Sequence, residues 1–129
     1  MMPNDNPAPV LVGEAVEFPQ NGLTSGIAVR ATASEFTIQS NGTYMVNWQV
    51  SITGPGQLVL ALSGIEIAIT TVGRDTGTTQ IVGNRIIEIN AGQTLSVRNP
   101  AGSPLDLTVT PNAGGSNPVS ASLVITRLA

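Results

Sequence analysis

The 129-residue chain contains no His, no Cys and no Lys. Without His or Lys, a Ser or Thr nucleophile has no conventional base to activate it. Without His or Cys, a zinc or other transition-metal site would need carboxylates alone, a donor set those metals use poorly. Missing Cys also excludes disulfides and thiolate chemistry, although it assigns no redox compartment. No catalytic residue, metal ligand or cofactor is therefore expected.

Charge is scarce too. Charged residues make up 10% of the chain, where about 25% is usual. The five basic residues are Arg30, Arg74, Arg85, Arg98 and Arg127, too scattered for a phosphate-tracking stripe, so no nucleic-acid partner is expected. Glu14, Glu17, Glu35, Glu66, Asp75, Glu88 and Asp106 form no motif of the kind carboxylate-only hydrolysis needs. They read as solvated charges at strand edges and loops. At 41% hydrophobic, the chain is too apolar for disorder and undercharged for an ordinary monomer surface. That shortfall hints at a surface covered by a partner. No apolar run approaches the roughly 18 residues of a membrane span, so no membrane insertion is expected. The opening "MMPNDNPAPV" lacks the basic-then-hydrophobic pattern of a signal peptide.

Local motifs add little chemistry. "GRDTGTTQ" (73–80) lacks the alternating acidic and amide positions of a helix-flanked calcium loop. "PNAGGSNP" (111–118) is followed by neither Lys nor a helix start, so it is no phosphate cradle. "NGT" (41–43) fits a glycosylation acceptor, but a turn requirement already accounts for Asn41 and Gly42. "GPG" (54–56) is a single triplet and no collagen repeat. An empty chemistry column points to a structural or binding role.

Aromatics are few, at 3%, yet "EFTIQSNGTYMVNWQVSI" (35–52) holds Phe36, Tyr44 and Trp48 of the four. Aromatic side chains carry the largest burial payload, so this stretch marks the core. In it Tyr44, Val46, Trp48, Val50 and Ile52 alternate with Thr43, Met45, Asn47, Gln49 and Ser51, the two faces of one strand. Phe36 and Ile38 alternate before it, and "SNG" predicts a tight hairpin turn between the two runs.

Similar segments follow: "QLVLALS", "IEIAIT", "NRIIEIN", "QTLSVRN", "PLDLTVT" and "SASLVITRLA". With the weaker "PVLVGEAVEF" and "GIAVRA", nine or ten short strands are expected and no helix. Residues 1–9, with three Pro, read as a flexible N-terminal arm or tag remnant. Residues 10–129 read as one all-β domain, a sandwich or barrel whose loops favour a jelly roll. In "LVLAL" (58–62) and "LVIT" (123–126) both strand faces are apolar. Either Val59, Ala61 and Val124 are β-formers on a tolerant surface, or the outer faces meet another subunit.

The aromatic spacing resembles the globular heads of the complement first-component and tumour necrosis factor superfamily. Phe18 stands eighteen residues before Phe36, which is followed by five residues, Gly42, Tyr44, Val46 and Trp48 in that family's order. Thr24, Val29 and Val46 depart from it, and with the closing "SASLVITRLA" the chain looks most like the bacterial branch. That branch is the C-terminal domain of collagen-like spore exosporium glycoproteins (BclA-type). The resemblance implies a ten-strand jelly-roll β-sandwich assembled as a homotrimer. It implies a core of Phe18, Phe36, Tyr44, Val46 and Trp48, and a trimer interface of Met45, Asn47, Gln49, Val124 and Leu128. The plainer alternative, that Asn47 and Gln49 are simply solvated, stays open. The expected role is non-enzymatic trimerisation and surface display, located outside the cell or on a spore surface, with self as partner. The alternative is a glycan- or receptor-binding head using loops 73–80, 99–104 and 111–118, because loops on rigid β scaffolds commonly carry binding.

Overall fold

The chain's fold is set by a strand that runs unbroken through Gly42–Thr53. The computed structural model describes residues 10–18, 26–53, 56–74, 78–102, 106–109 and 121–129. Among them are nine strands and no helix. They are β1 (Ala28–Arg30), β2 (Phe36–Ile38), β3 (Gly42–Thr53), β4 (Gly56–Leu62) and β5 (Ile65–Arg74). Then come β6 (Thr78–Ile89), β7 (Thr94–Arg98), β8 (Thr108–Val109) and β9 (Ala121–Arg127). The expected arm at residues 1–9 lies outside the described residues.

Two antiparallel sheets result. One has the order β1-β2-β7-β4-β5; in the other, β3 lies between β6 on one flank and β8 then β9 on the other. The chain changes sheet from β2 to β3, β3 to β4, β5 to β6, β6 to β7 and β7 to β8. These crossovers make a jelly roll and not a meander. β3 and β6 pair without a slip from Gly42↔Ile89 to Thr53↔Thr78.

Alternation along β3 sends Tyr44, Val46, Trp48, Val50 and Ile52 into the sandwich, where all are buried. Leu58 and Leu60 of β4, Leu95 and Val97 of β7 and Ile38 of β2 meet them in one buried cluster. Burying each large aliphatic side chain stabilises by about 1.5–3 kcal/mol, so this layer dominates folding. Phe18 is buried and Phe36 half-buried, their rings 6.4 Å apart and tilted. The Arg30 guanidinium covers Phe36 at 4.9 Å.

Several local expectations are corrected. "SNG" does not close a hairpin, because β2 and β3 belong to different sheets. Neither Asn41 nor Gly42 has a positive φ. The corner is instead pinned from both sides: Asn41 Oδ1 accepts from the Ala91 amide at 2.7 Å, and its carbonyl accepts from Arg127 Nη2 at 2.8 Å. The actual two-residue hairpin is Ser63-Gly64, both at positive φ, between β4 and β5.

"PVLVGEAVEF" makes two isolated bridges, Val10↔Leu107 and Ala15↔Arg98, instead of a strand. A turn from Leu11 to Glu14, with Gly13 at φ 81°, breaks it in the middle. "NRIIEIN" is only the second half of β6, which starts at Thr78 inside the presumed loop. Of the described residues of "PLDLTVT", 106–109, two are in a strand.

The two-sided apolarity of "LVLAL" needs no second subunit. Val59 and Ala61 are buried within one protomer. Their neighbours on that face, Arg98 and Glu66, bond to the Gly13 carbonyl (3.4 Å) and the Ala101 amide (2.8 Å). The N-terminal segment and the loop after β7 are thereby tied down over β4.

Candidate assembly surface

Among the described residues, the opposite face of β3 lacks such a cover from Met45 to Gln49, while Ser51 at its end is fully buried. Met45, Asn47 and Gln49 point away from the core, and the register extends them into rows across three strands. Met45 lies between Ile86 and Thr126, Asn47 between Asn84 and Val124, and Gln49 between Val82 and Ser122. Val82, Ile86 and Val124 are 59%, 61% and 53% exposed, while Met45, Asn47 and Gln49 are half-buried. All nine side chains in these rows are uncharged. Along these rows lies a shallow depression of about 180 Å³, lined by Asn47, Trp48, Gln49, Val82, Gly83, Asn84, Ser122 and Val124.

Rows without charge that leave Val82, Ile86 and Val124 more than half exposed make this a candidate interaction surface, since exposed apolar side chains grouped on one face mark such sites. Amides add neutral donors and acceptors that a partner could satisfy without desolvating an ion. Chemically the face can bind; its hydroxyls, Ser122 and Thr126, have no His or Lys to act as a base.

The residues singled out from sequence divide as follows. Met45, Asn47, Gln49 and Val124 share this face. Leu128 lies past the end of β9, where its amide donates to the Thr43 carbonyl at 2.8 Å, and its side chain is 48% exposed. Tyr44, Val46 and Trp48 lie on the other side of β3 in the sandwich, and the Tyr44 hydroxyl donates to the Ser40 carbonyl at 2.7 Å. Sequence reasoning did not place Val82, Asn84 and Ile86 here. The adjacent "II" at 86–87 was the available signal, since a strand with apolar residues on both faces needs cover on both.

Carboxylates serve as separate ties. Glu35 faces Arg98 at 3.5 Å, Glu66 holds the Ala101 amide, and Asp106 Oδ1 accepts from the Val12 amide at 3.1 Å. Among the described residues no group of three or more His, Cys, Asp or Glu could hold a metal ion, and no helix is long and apolar enough to cross a membrane. Of the loops proposed for ligand binding, residues 75–77, 103–104 and 111–118 lie outside the described residues.

Comparison with known proteins bears on the whole chain. The family model for the BclA C-terminal domain matches residues 4–129. No curated protein matches. Among solved structures, the globular domain of zebrafish complement 1qA protein superposes with a TM-score of 0.70 at 14% identity, covering 98% of this chain and 93% of that one. Pika GITRL superposes with a TM-score of 0.52 at 17% identity, covering 82% and 87%. At such identities the likeness speaks for the fold: an all-β jelly roll of the complement and tumour necrosis factor type.

Proposed function

The chain belongs to the BclA C-terminal domain family, and from that premise we propose that it is a non-enzymatic trimerising head, the display domain of a collagen-like protein on a spore or cell surface. One observation carries the proposal: the three side-chain rows from Met45 to Gln49 across β9, β3 and β6 bear no charge, with Val82, Ile86 and Val124 more than half exposed. Three copies that cover these faces remove that surface from water. Each buried Å² of apolar area contributes about 25 cal/mol, reduced by the entropy lost on association.

Its action is mechanical. A partner that binds only the folded state stabilises that state by mass action, so assembly resists unfolding and holds three chain ends in register for an attached stalk. Multi-angle light scattering at micromolar concentration tests this. The expected mass is three times the 13.2 kDa of one chain; a single-chain mass overturns it.

A further inference from the structure

The corner before β3 holds a reactive pair that the assembly reading does not use. Asn41 is exposed, and the residue after it is Gly42. An asparagine side chain can cyclise onto the next backbone nitrogen, and glycine offers that attack no Cβ to pass. The Gly42 nitrogen, once deprotonated, bonds to Asn41 Cγ. The bond from Cγ to Nδ2 breaks, and the amide group takes up the lost proton and leaves as ammonia. Water then opens the cyclic imide at either carbonyl. One opening leaves aspartate; the other leaves its β-linked isomer, with an extra methylene in the main chain.

The structure holds this pair still. Asn41 Oδ1 accepts from the Ala91 amide at 2.7 Å, which fixes the carboxamide toward the turn after β6. The Asn41 backbone carbonyl, whose carbon would join the ring, accepts from Arg127 Nη2 at 2.8 Å. Gly42 opens β3 and pairs with Ile89. The C-terminus closes over it: Ala129 O and Arg127 Nε lie 2.5 Å and 2.8 Å from where a Cβ would stand. Ala129 O accepts from the Thr43 amide at 3.1 Å, and the Leu128 amide donates to the Thr43 carbonyl at 2.8 Å. Closing the ring would swing Gly42 out of the β6 ladder and turn the Asn41 carbonyl off Arg127. Most of these restraints come from residues 127–129, and terminal residues fray at small free-energy cost, without global unfolding.

We propose that Asn41 is a latent deamidation site, kept intact by Ala91, Arg127 and the C-terminal residues and opened to reaction when that end lifts from β3. Chemical modification of the open state makes the release irreversible. The extra methylene of the isomer displaces the Asn41 carbonyl from Arg127, so the tail loses the corner it was tied to. The chemistry needs only water and acts within one protomer, so it stands apart from the trimer reading.

Mass spectrometry of the Asn41 peptide, with chromatographic separation of the two acid products, follows the reaction in the whole chain at mildly alkaline pH. Folded wild type should react at least tenfold more slowly than wild type unfolded in guanidinium chloride. Arg127→Ala should remove most of that protection. Arg98→Ala, which cuts ties on β7 instead, is the control for general loosening and should leave the rate near that of wild type. Folded wild type reacting as fast as the unfolded chain overturns the proposal, as does Arg127→Ala reacting no faster than Arg98→Ala. Circular dichroism checks that each variant folds. Should Arg127→Ala fail to fold, a chain lacking Leu128 and Ala129 replaces it: faster deamidation supports the clamp, and an unchanged rate rejects it.

Discussion

The indole of Trp48 fills the space that a side chain at Gly83, its cross-strand partner on β6, would need. A Cβ at position 83 would collide with Cε2 and Cζ2 of the ring. The largest core residue and the smallest are thus a matched pair, fixed by the register of β3 on β6. Removing the indole leaves a cavity, so Trp48→Ala should lower unfolding free energy by about 3–5 kcal/mol. Gly83→Ala overpacks the same spot and should cost about 1–3 kcal/mol. The pair is coupled: in the Trp48→Ala background, Gly83→Ala should cost little or nothing. Denaturant unfolding of the three variants at one protein concentration measures this, and strictly additive losses would contradict the packing.

Gly42 is explained by proximity and not by backbone conformation. A Cβ there would stand 2.5 Å from the Ala129 carbonyl oxygen and 2.8 Å from Arg127 Nε. Gly42→Ala should therefore push the C-terminus off β3, at a cost of about 1–3 kcal/mol. Hydrogen exchange should show faster exchange at the Thr43 amide, which donates to Ala129 O at 3.1 Å. Unchanged protection would mean that the terminus gives way freely.

Arg98 and Glu35 form a half-buried pair at 3.5 Å. Such a pair contributes at most about 1 kcal/mol. Arg98 also donates to Ser96 Oγ at 2.9 Å and to the Gly13 carbonyl, so it holds the N-terminal segment as well. Glu35→Gln should be nearly neutral, whereas Arg98→Ala should cost about 1–3 kcal/mol and speed proteolysis before residue 18. Equal effects for the two variants would show that the ion pair alone matters.

Much of the architecture was legible because alternation is a short-range property. Tyr44, Val46 and Trp48 on one face of a strand and Met45, Asn47 and Gln49 on the other follow from counting by two. What counting could not show was which sheet a strand joins. "SNG" has the composition of a hairpin turn, yet Asn41 is held by Ala91 and Arg127, both distant in sequence. The cover over Val59 and Ala61 was hidden for the same reason, since it depends on ties to Gly13 and Ala101. The β5 bulge, between Leu58↔Val72 and Leu60↔Ile67, left one trace in "IEIAITTV": the apolar positions Ile65, Ile67 and Ile69 give way to Thr70-Thr71, and Val72 resumes on the opposite parity. Only the hydroxyl of Thr70, standing in for a backbone partner of Leu60, breaks the ladder.

Asn47 probes the surface with little change in shape. Asn47→Asp places an ionisable group on the face that the proposed assembly would take out of water. Above a carboxyl pKa of about 4 the side chain is charged and resists burial; below it the neutral acid resembles the amide. The variant's assembly should therefore be weak at neutral pH and recover as pH falls through that value. Sedimentation equilibrium against pH measures it, with wild type as the control for any general effect of acid. A variant that assembles like wild type at neutral pH would place Asn47 outside the contact.

Met45 reports most directly on whether the open face is covered, because peroxide converts an accessible Met to its sulfoxide and spares a sealed one. Mass spectrometry of the Met45 peptide, compared between wild type and Val124→Glu at the same micromolar concentration, gives the rate in each. If copies of the chain cover β9, β3 and β6, wild-type Met45 oxidises at least several-fold more slowly than in the variant. Equal rates in the two, both as fast as in an unfolded peptide, would mean that the face stays open to water and that the protein works as a single chain.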